Sequence, residues 1–117
     1  MDRWLRATVN TWRGLIAAAR SEAAFREELA ALALAVPLAF LVAVETWKRC
    51  LLIGVVVLLL IVELLNTAIE KLADRLTREI DPEIGRVKDM GSAAVGLALL
   101  TAIVVWLLAL AERLSWL

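Results

Sequence analysis

From Leu51 to Val62 every side chain is apolar, and the run leads without a break into Glu63-Leu-Leu-Asn66-Thr-Ala-Ile-Glu70-Lys-Leu-Ala-Asp74. A helix continued through this junction at about 100° per residue carries Glu63, Asn66, Glu70 and Asp74 at roughly 0°, −60°, −20° and +20°, as one stripe on one face. Leu64, Leu65, Ile69 and Leu72 mostly cover the other faces. A carboxylate inside a membrane-spanning helix costs about 2.5–3.5 kcal/mol on insertion scales, and such residues face a bundle interior or a wet cavity. The stripe therefore reads as a site inside a helix bundle. A polar seam that only glues helices is the simpler alternative. Asn66 alone would serve as glue, whereas acids in line repel one another unless a cation sits among them.

Composition agrees with a bundle in lipid. The 117 residues leave room for one domain, and 62% of them are apolar, well above the soluble average. Thirteen basic and thirteen acidic side chains cancel, so no overall field points to a nucleic-acid partner. Cys50 is the only cysteine and there is no histidine, which removes an intrachain disulfide, a soft metal site and every Ser-His or Cys-His catalytic pair. Proton transfer falls to a carboxylate or a lysine.

Residues 2–20 read as an amphipathic surface helix, with Trp4, Leu5, Val9, Trp12, Leu15, Ile16 and Ala19 on one face and Arg3, Arg6, Asn10, Arg13 and Arg20 on the other. Basic residues opposite tryptophan and leucine suit the interface of an anionic leaflet; a secretory signal fits poorly, because too many charges precede the first strongly apolar run. Glu22 to Glu28 is expected to continue helically, with Glu22 and Arg26 spaced to pair. The surface helix thus covers about 2–27, and spans are expected at about 29–47, with Trp47 as interfacial anchor and Pro37 inside it, at about 49–70 and at about 90–111. Glu45 to Arg49 reads as the turn between the first two spans. The second helix runs roughly from Trp47 to Arg78, and Asp81-Pro82 reads as an N-cap with proline at the first helical position. In the third helix Ser92 and Gly96, and Ala94, Ala98 and Ala102, repeat every four residues, as small residues do where helices approach closely in lipid. The fold class is all-α: an N-terminal surface helix plus three transmembrane helices.

Arg3, Arg6, Arg13, Arg20 and Arg26 precede the first span, and Lys71, Arg75, Arg78, Arg86 and Lys88 lie between the second and third, against Lys48, Arg49 and Arg113 on the other side. That asymmetry places the N-terminus in the cytoplasm. The acidic stripe, the Glu22 segment and Lys88-Asp89 then meet at the cytoplasmic interface, where a water-borne nucleotide can reach a lipid headgroup. Acids that hold a divalent ion or take a proton, with lysine and arginine beside them, are the parts phosphoryl transfer needs. Magnesium accepts one or two carboxylates plus phosphate oxygens. No Gly-x-x-x-x-Gly-Lys loop or protein-kinase signature is present. From the residues alone the reading ends at a metal–nucleotide or metal–anion site at a membrane interface.

The pattern Glu63-x-x-Asn66-Thr-Ala-Ile-Glu70-x-x-x-Asp74 resembles the signature of the small integral-membrane prokaryotic diacylglycerol kinases, a family that includes undecaprenol kinases. Glu22-Ala-Ala-Phe25-Arg26-x-Glu28 and Gly85-Arg-x-Lys88-Asp89-Met-Gly91-Ser92 support it in the expected order. The resemblance implies ATP-dependent phosphorylation of diacylglycerol, with Glu63 as the base on the lipid hydroxyl and Asn66 orienting the reacting groups. It implies Glu22 and Glu70 as holders of Mg2+, Arg3, Lys88 and Asp89 as nucleotide contacts, and Trp12, Ala24, Phe25, Arg26, Glu28 and Ser92 as the lipid side. Glu63 is the deeper and more desolvated acid, which suits the base. The resemblance also implies a homotrimer with shared sites in a bacterial inner membrane. Ala73 stands where the family carries valine, and Lys71 puts a charge at a normally small or apolar position. Undecaprenol kinase is the nearest alternative. A small oligomeric ion or proton conductor is the alternative of another class, although the wholly apolar Leu51–Val62 gives a pore nothing polar to be lined with.

Overall fold

The computed structural model describes residues 2–77 and 79–116, which form four helices: α1 (Arg3–Ser21), α2 (Ala23–Val42), α3 (Thr46–Leu76) and α4 (Pro82–Arg113). Arg78, counted above in the charge asymmetry and as the end of the second helix, lies outside the described residues. Side chains at the breaks start two of the helices. Asp2 accepts the Leu5 N–H at 3.0 Å, and Asp81 accepts the N–H groups of Glu83 and Ile84 at 2.9 and 3.2 Å, with Pro82 opening α4 as expected.

Two sequence expectations change. Glu22 is extended, at φ −120° and ψ 113°, and separates α1 from α2 where a continuous helix was expected. Arg26 accordingly does not pair with Glu22. Its guanidinium donates to the carbonyls of Ala19 and Arg20 at 2.9 and 3.3 Å, satisfying the open end of α1. The second turn is shorter than expected, since Thr46 to Arg49 already belong to α3.

α3 is the central element, with α2 and α4 packed along it. Ala35 of α2 meets Val55, Val56 and Ala102, and Ala39 and Ala43 meet Leu52, so small residues on the flanking helices receive the larger ones of α3. The inward face of α4 is Gly91, Ala98 and Ala102; Ser92, Ala94 and Gly96 of the expected small-residue repeat are exposed. At the end remote from Glu63 the loose carbonyls of α2 are also met by cations. Arg49 donates to Ala43 O at 2.8 Å and Arg113 to Leu41 O at 3.3 Å. Lys48 joins Glu45 to Glu112 across α3 and α4. The Trp47 indole, donating at 2.7 Å, and then Lys48 hold the Glu45 carboxyl below its ordinary range.

Among the described residues α3 and α4 are long and apolar enough to cross a membrane, with a mean hydropathy of 2.6 over the most apolar 18 residues of each. α2 carries Arg26, Glu27 and Glu28 near its start. α1 lies against the bundle through Ala18 and Phe25, which pack with Leu60, while Trp4 and Trp12 stay exposed on it.

Candidate functional site

The polar half of α3 and the start of α2 meet because Phe25, 1% exposed, inserts between Ala18 of α1 and Leu60 of α3. That contact draws the extended residue Glu22 up to α3. A cleft of about 740 Å³ opens there, lined by Glu22, Thr67, Glu70, Lys71, Asp74, Arg75 and Thr77. Glu22 reaches Lys71 at 3.2 Å, so the charge that looked out of place on α3 is the partner of an acid from the preceding break. Lys71 also donates to the Ser21 hydroxyl at 3.4 Å.

Of the stripe, Asn66 and Thr67 are buried and Glu63 and Asp74 are partly buried, while Glu70 faces the cleft. The Asn66 amide nitrogen donates to Glu70 Oε1 at 3.2 Å. The charges of Glu70 and Glu22 act on Glu63, and Glu63 acts in turn on Glu28. Glu22, Glu28, Glu63 and Glu70 are therefore close enough to feel one another's charge although they come from the α1–α2 break, α2 and α3. Glu28 is partly buried, and its Oε2 has no hydrogen-bond partner.

Other expected site residues are placed differently. Lys88 of α4 binds Asp74 Oδ1 at 2.6 Å across the α3–α4 turn, so its first role here is to close that turn. Asp89 and Ser92 are exposed on α4, outside the cleft lining. Arg3, beside the Trp4 ring, and Trp12 are exposed on α1, and Ala24 is exposed at the start of α2. Phe25, expected on the lipid side, is buried in the packing of α1 against α3. Arg26 is engaged with the end of α1. Between α1 and α3 a second, mostly apolar cavity of about 410 Å³ runs from Asn10 and Leu15 to Leu64, sharing Thr67 and Lys71 with the polar cleft.

Thr67, Lys71 and Arg75 carried no assignment from the sequence. A signal existed for Thr67, which at roughly +40° sits on the same stripe as Glu63 and Glu70. Lys71 stood out along α3 only as a charge at a normally small or apolar position, and its partner lies on another element.

The donor set suits a hard divalent cation. Among the described residues no three acids, histidines or cysteines converge on one point, yet Glu22 and Glu70 line the same cleft. Two carboxylates are what magnesium takes from a protein when phosphate and water supply its other ligands. Lys71 and Arg75 add positive charge to the same lining.

The sequence model of the prokaryotic diacylglycerol kinases matches residues 9–110. The diacylglycerol kinase of Escherichia coli (strain K12) is 47% identical over 104 residues, covering 89% of this chain and 85% of that protein. The diacylglycerol kinase of Pseudomonas aeruginosa is 45% identical over 106 residues, covering 91% and 86%. That of Haemophilus influenzae is 36% identical over 102 residues, covering 87% and 86%.

Proposed function

The chain belongs to the prokaryotic diacylglycerol kinase family, whose members are lipid kinases, and from that premise we propose that it moves the terminal phosphoryl group of ATP to diacylglycerol. The product is phosphatidic acid. The reaction takes place at the cytoplasmic face of a bacterial inner membrane, with the N-terminus in the cytoplasm.

The observation that supports this reading best is the depth of the acids along one unbroken helix. With Trp47 at the far interface, Glu63 lies about 24 Å along α3 and Glu70 about 34 Å, at about 1.5 Å per residue. A hydrocarbon core is about 30 Å thick, so Glu63 falls just inside its cytoplasmic edge and Glu70 just outside. A lipid hydroxyl and a nucleotide phosphate need acids in that order.

Glu63 takes the proton of the lipid hydroxyl as its oxygen attacks the terminal phosphorus and the bond to ADP breaks. Asn66 holds the Glu70 carboxylate in place through its amide. Glu22 and Glu70 would hold magnesium, which when bound neutralises phosphate charge. Arg3, Lys88 and Asp89 serve the nucleotide, and Lys88 does so by exchanging Asp74 for a phosphate oxygen. Trp12, Ala24, Glu28 and Ser92 serve the lipid. α2 forms the third span, and three copies of the chain assemble so that apolar residues of α4 such as Leu97, Leu100 and Leu107, exposed in the single chain, are covered and the sites are shared between subunits.

The test is purified protein in lipid or detergent with MgATP and either diacylglycerol or undecaprenol, the product identified by mass. Phosphatidic acid as the main product is expected. Phosphorylated undecaprenol alone would reassign the substrate, and no phosphorylated lipid at all would end the proposal.

A further inference from the structure

Asn66 is 7% exposed, and its amide is used on one side only. Nδ2 donates to Glu70 Oε1 at 3.2 Å, while Oδ1 is buried without a hydrogen-bond donor. The reverse amide orientation would set two acceptor oxygens against each other, so the Glu70 contact fixes which way the group faces.

What lies against the unpartnered oxygen is Gly91, a buried residue of α4. A Cβ built on Gly91 would come 2.1 Å from Asn66 Oδ1 and 3.2 Å from its Cγ. At Gly14, Gly54, Gly85 and Gly96 a Cβ would meet nothing within 4 Å. Gly91 is thus the one glycine at which a side chain is sterically excluded, and the atom that excludes it belongs to a residue of the acidic stripe. Asn66 is short and planar. A methyl group at position 91 would have to push Oδ1 about 1 Å or more to reach ordinary contact, and rotation of the same amide would carry Nδ2 off Glu70.

We propose that Gly91 is a positioning residue for phosphoryl transfer: by presenting bare backbone to Asn66 Oδ1, it keeps the amide turned so that Nδ2 stays on Glu70. The inference rests on the kinase reading for what Asn66 and Glu70 do in the reaction, while the contact between Gly91 and Asn66 stands on geometry alone. Glycine and asparagine act as one unit, and alanine at position 91 injures the site through residue 66.

The test is a cycle of four proteins in the same detergent: wild type, Gly91→Ala, Asn66→Ala and the double variant. Each is measured for thermal unfolding, for Mn2+ affinity in the presence of a non-hydrolysable ATP analogue, and for lipid phosphorylation rate. Gly91→Ala is expected to lose about 100-fold in rate, the usual consequence of a misplacement near 1 Å, with weaker Mn2+ affinity and a lower unfolding midpoint. In the Asn66→Ala background, where the colliding atoms are gone, adding Gly91→Ala should cost neither midpoint nor Mn2+ affinity.

A Gly91→Ala protein as active and stable as wild type would overturn the proposal. So would losses that add in full to those of Asn66→Ala, since Gly91 would then act on helix packing without Asn66. If Gly91→Ala alone does not fold, the double variant decides: folding like Asn66→Ala supports the proposal, and failure to fold overturns it. Normal turnover by Asn66→Ala would also overturn it and leave the kinase reading standing, because that reading falls only if the wild-type protein makes no phosphorylated lipid.

Discussion

Replacing Glu63 by glutamine keeps the size and hydrogen-bonding shape of the side chain and removes its ability to take a proton. Along α3 Glu63 and Glu70 are separated by about 10 Å, at about 1.5 Å per residue, so the change leaves the carboxylates of the polar cleft where they are. Turnover should therefore fall while nucleotide affinity stays within about twofold. Loss of a general base costs about 100-fold to 10,000-fold in rate, or about 2.7–5.4 kcal/mol at about 1.36 kcal/mol per tenfold. Folding should respond in the opposite sense. The charges of Glu70 and Glu22 both repel that of Glu63, and Glu63 repels that of Glu28, so a neutral residue relieves the cluster and the unfolding midpoint should hold or rise. The assay is the initial rate of lipid phosphorylation beside nucleotide affinity and thermal unfolding of the same preparation. Near-normal turnover would remove Glu63 from the chemistry. Loss of nucleotide binding with the fold intact would move it to the metal-holding set and refute the depth argument.

Glu22→Gln and Glu70→Gln should each raise the magnesium and ATP concentrations needed for half-maximal rate with the oligomer intact; unchanged dependence on both in either variant would withdraw that residue from the metal set. Phe25→Ala empties a position that is 1% exposed, and Phe→Ala in a packed site costs about 3–5 kcal/mol. Hydrogen exchange should then rise across α1 before the rest of the bundle, and uniform exchange would mean that Phe25 does not dock α1. Cysteine placed at Glu79 in a Cys50→Ser protein should react with a membrane-impermeant reagent only after cells are opened, and labelling of intact cells would reverse the orientation.

The sequence by itself determined what depends on neighbours along the chain. Caps such as Asp81-Pro82 act within one turn, so their residues are adjacent and readable. The Glu63–Asp74 stripe follows from helical periodicity once the apolar run requires a helix. Tertiary structure decided what depends on elements meeting. Glu22 breaks the helix although its spacing to Arg26 allows a pair, and Arg26 goes instead to the open carbonyls of α1. Lys71, anomalous when read along α3, is the partner of Glu22 from another element. Lys88 closes on Asp74, and Phe25 is consumed by the packing of α1 against α3. Gly91 shows the difference most plainly. In sequence it is one small residue in a short motif, and only the approach of α4 to α3 puts an unpartnered amide oxygen where its side chain would be. Backbone hydrogen bonds and periodicity act over a few residues, whereas steric exclusion and charge pairing act between whichever surfaces the packing of helices brings together.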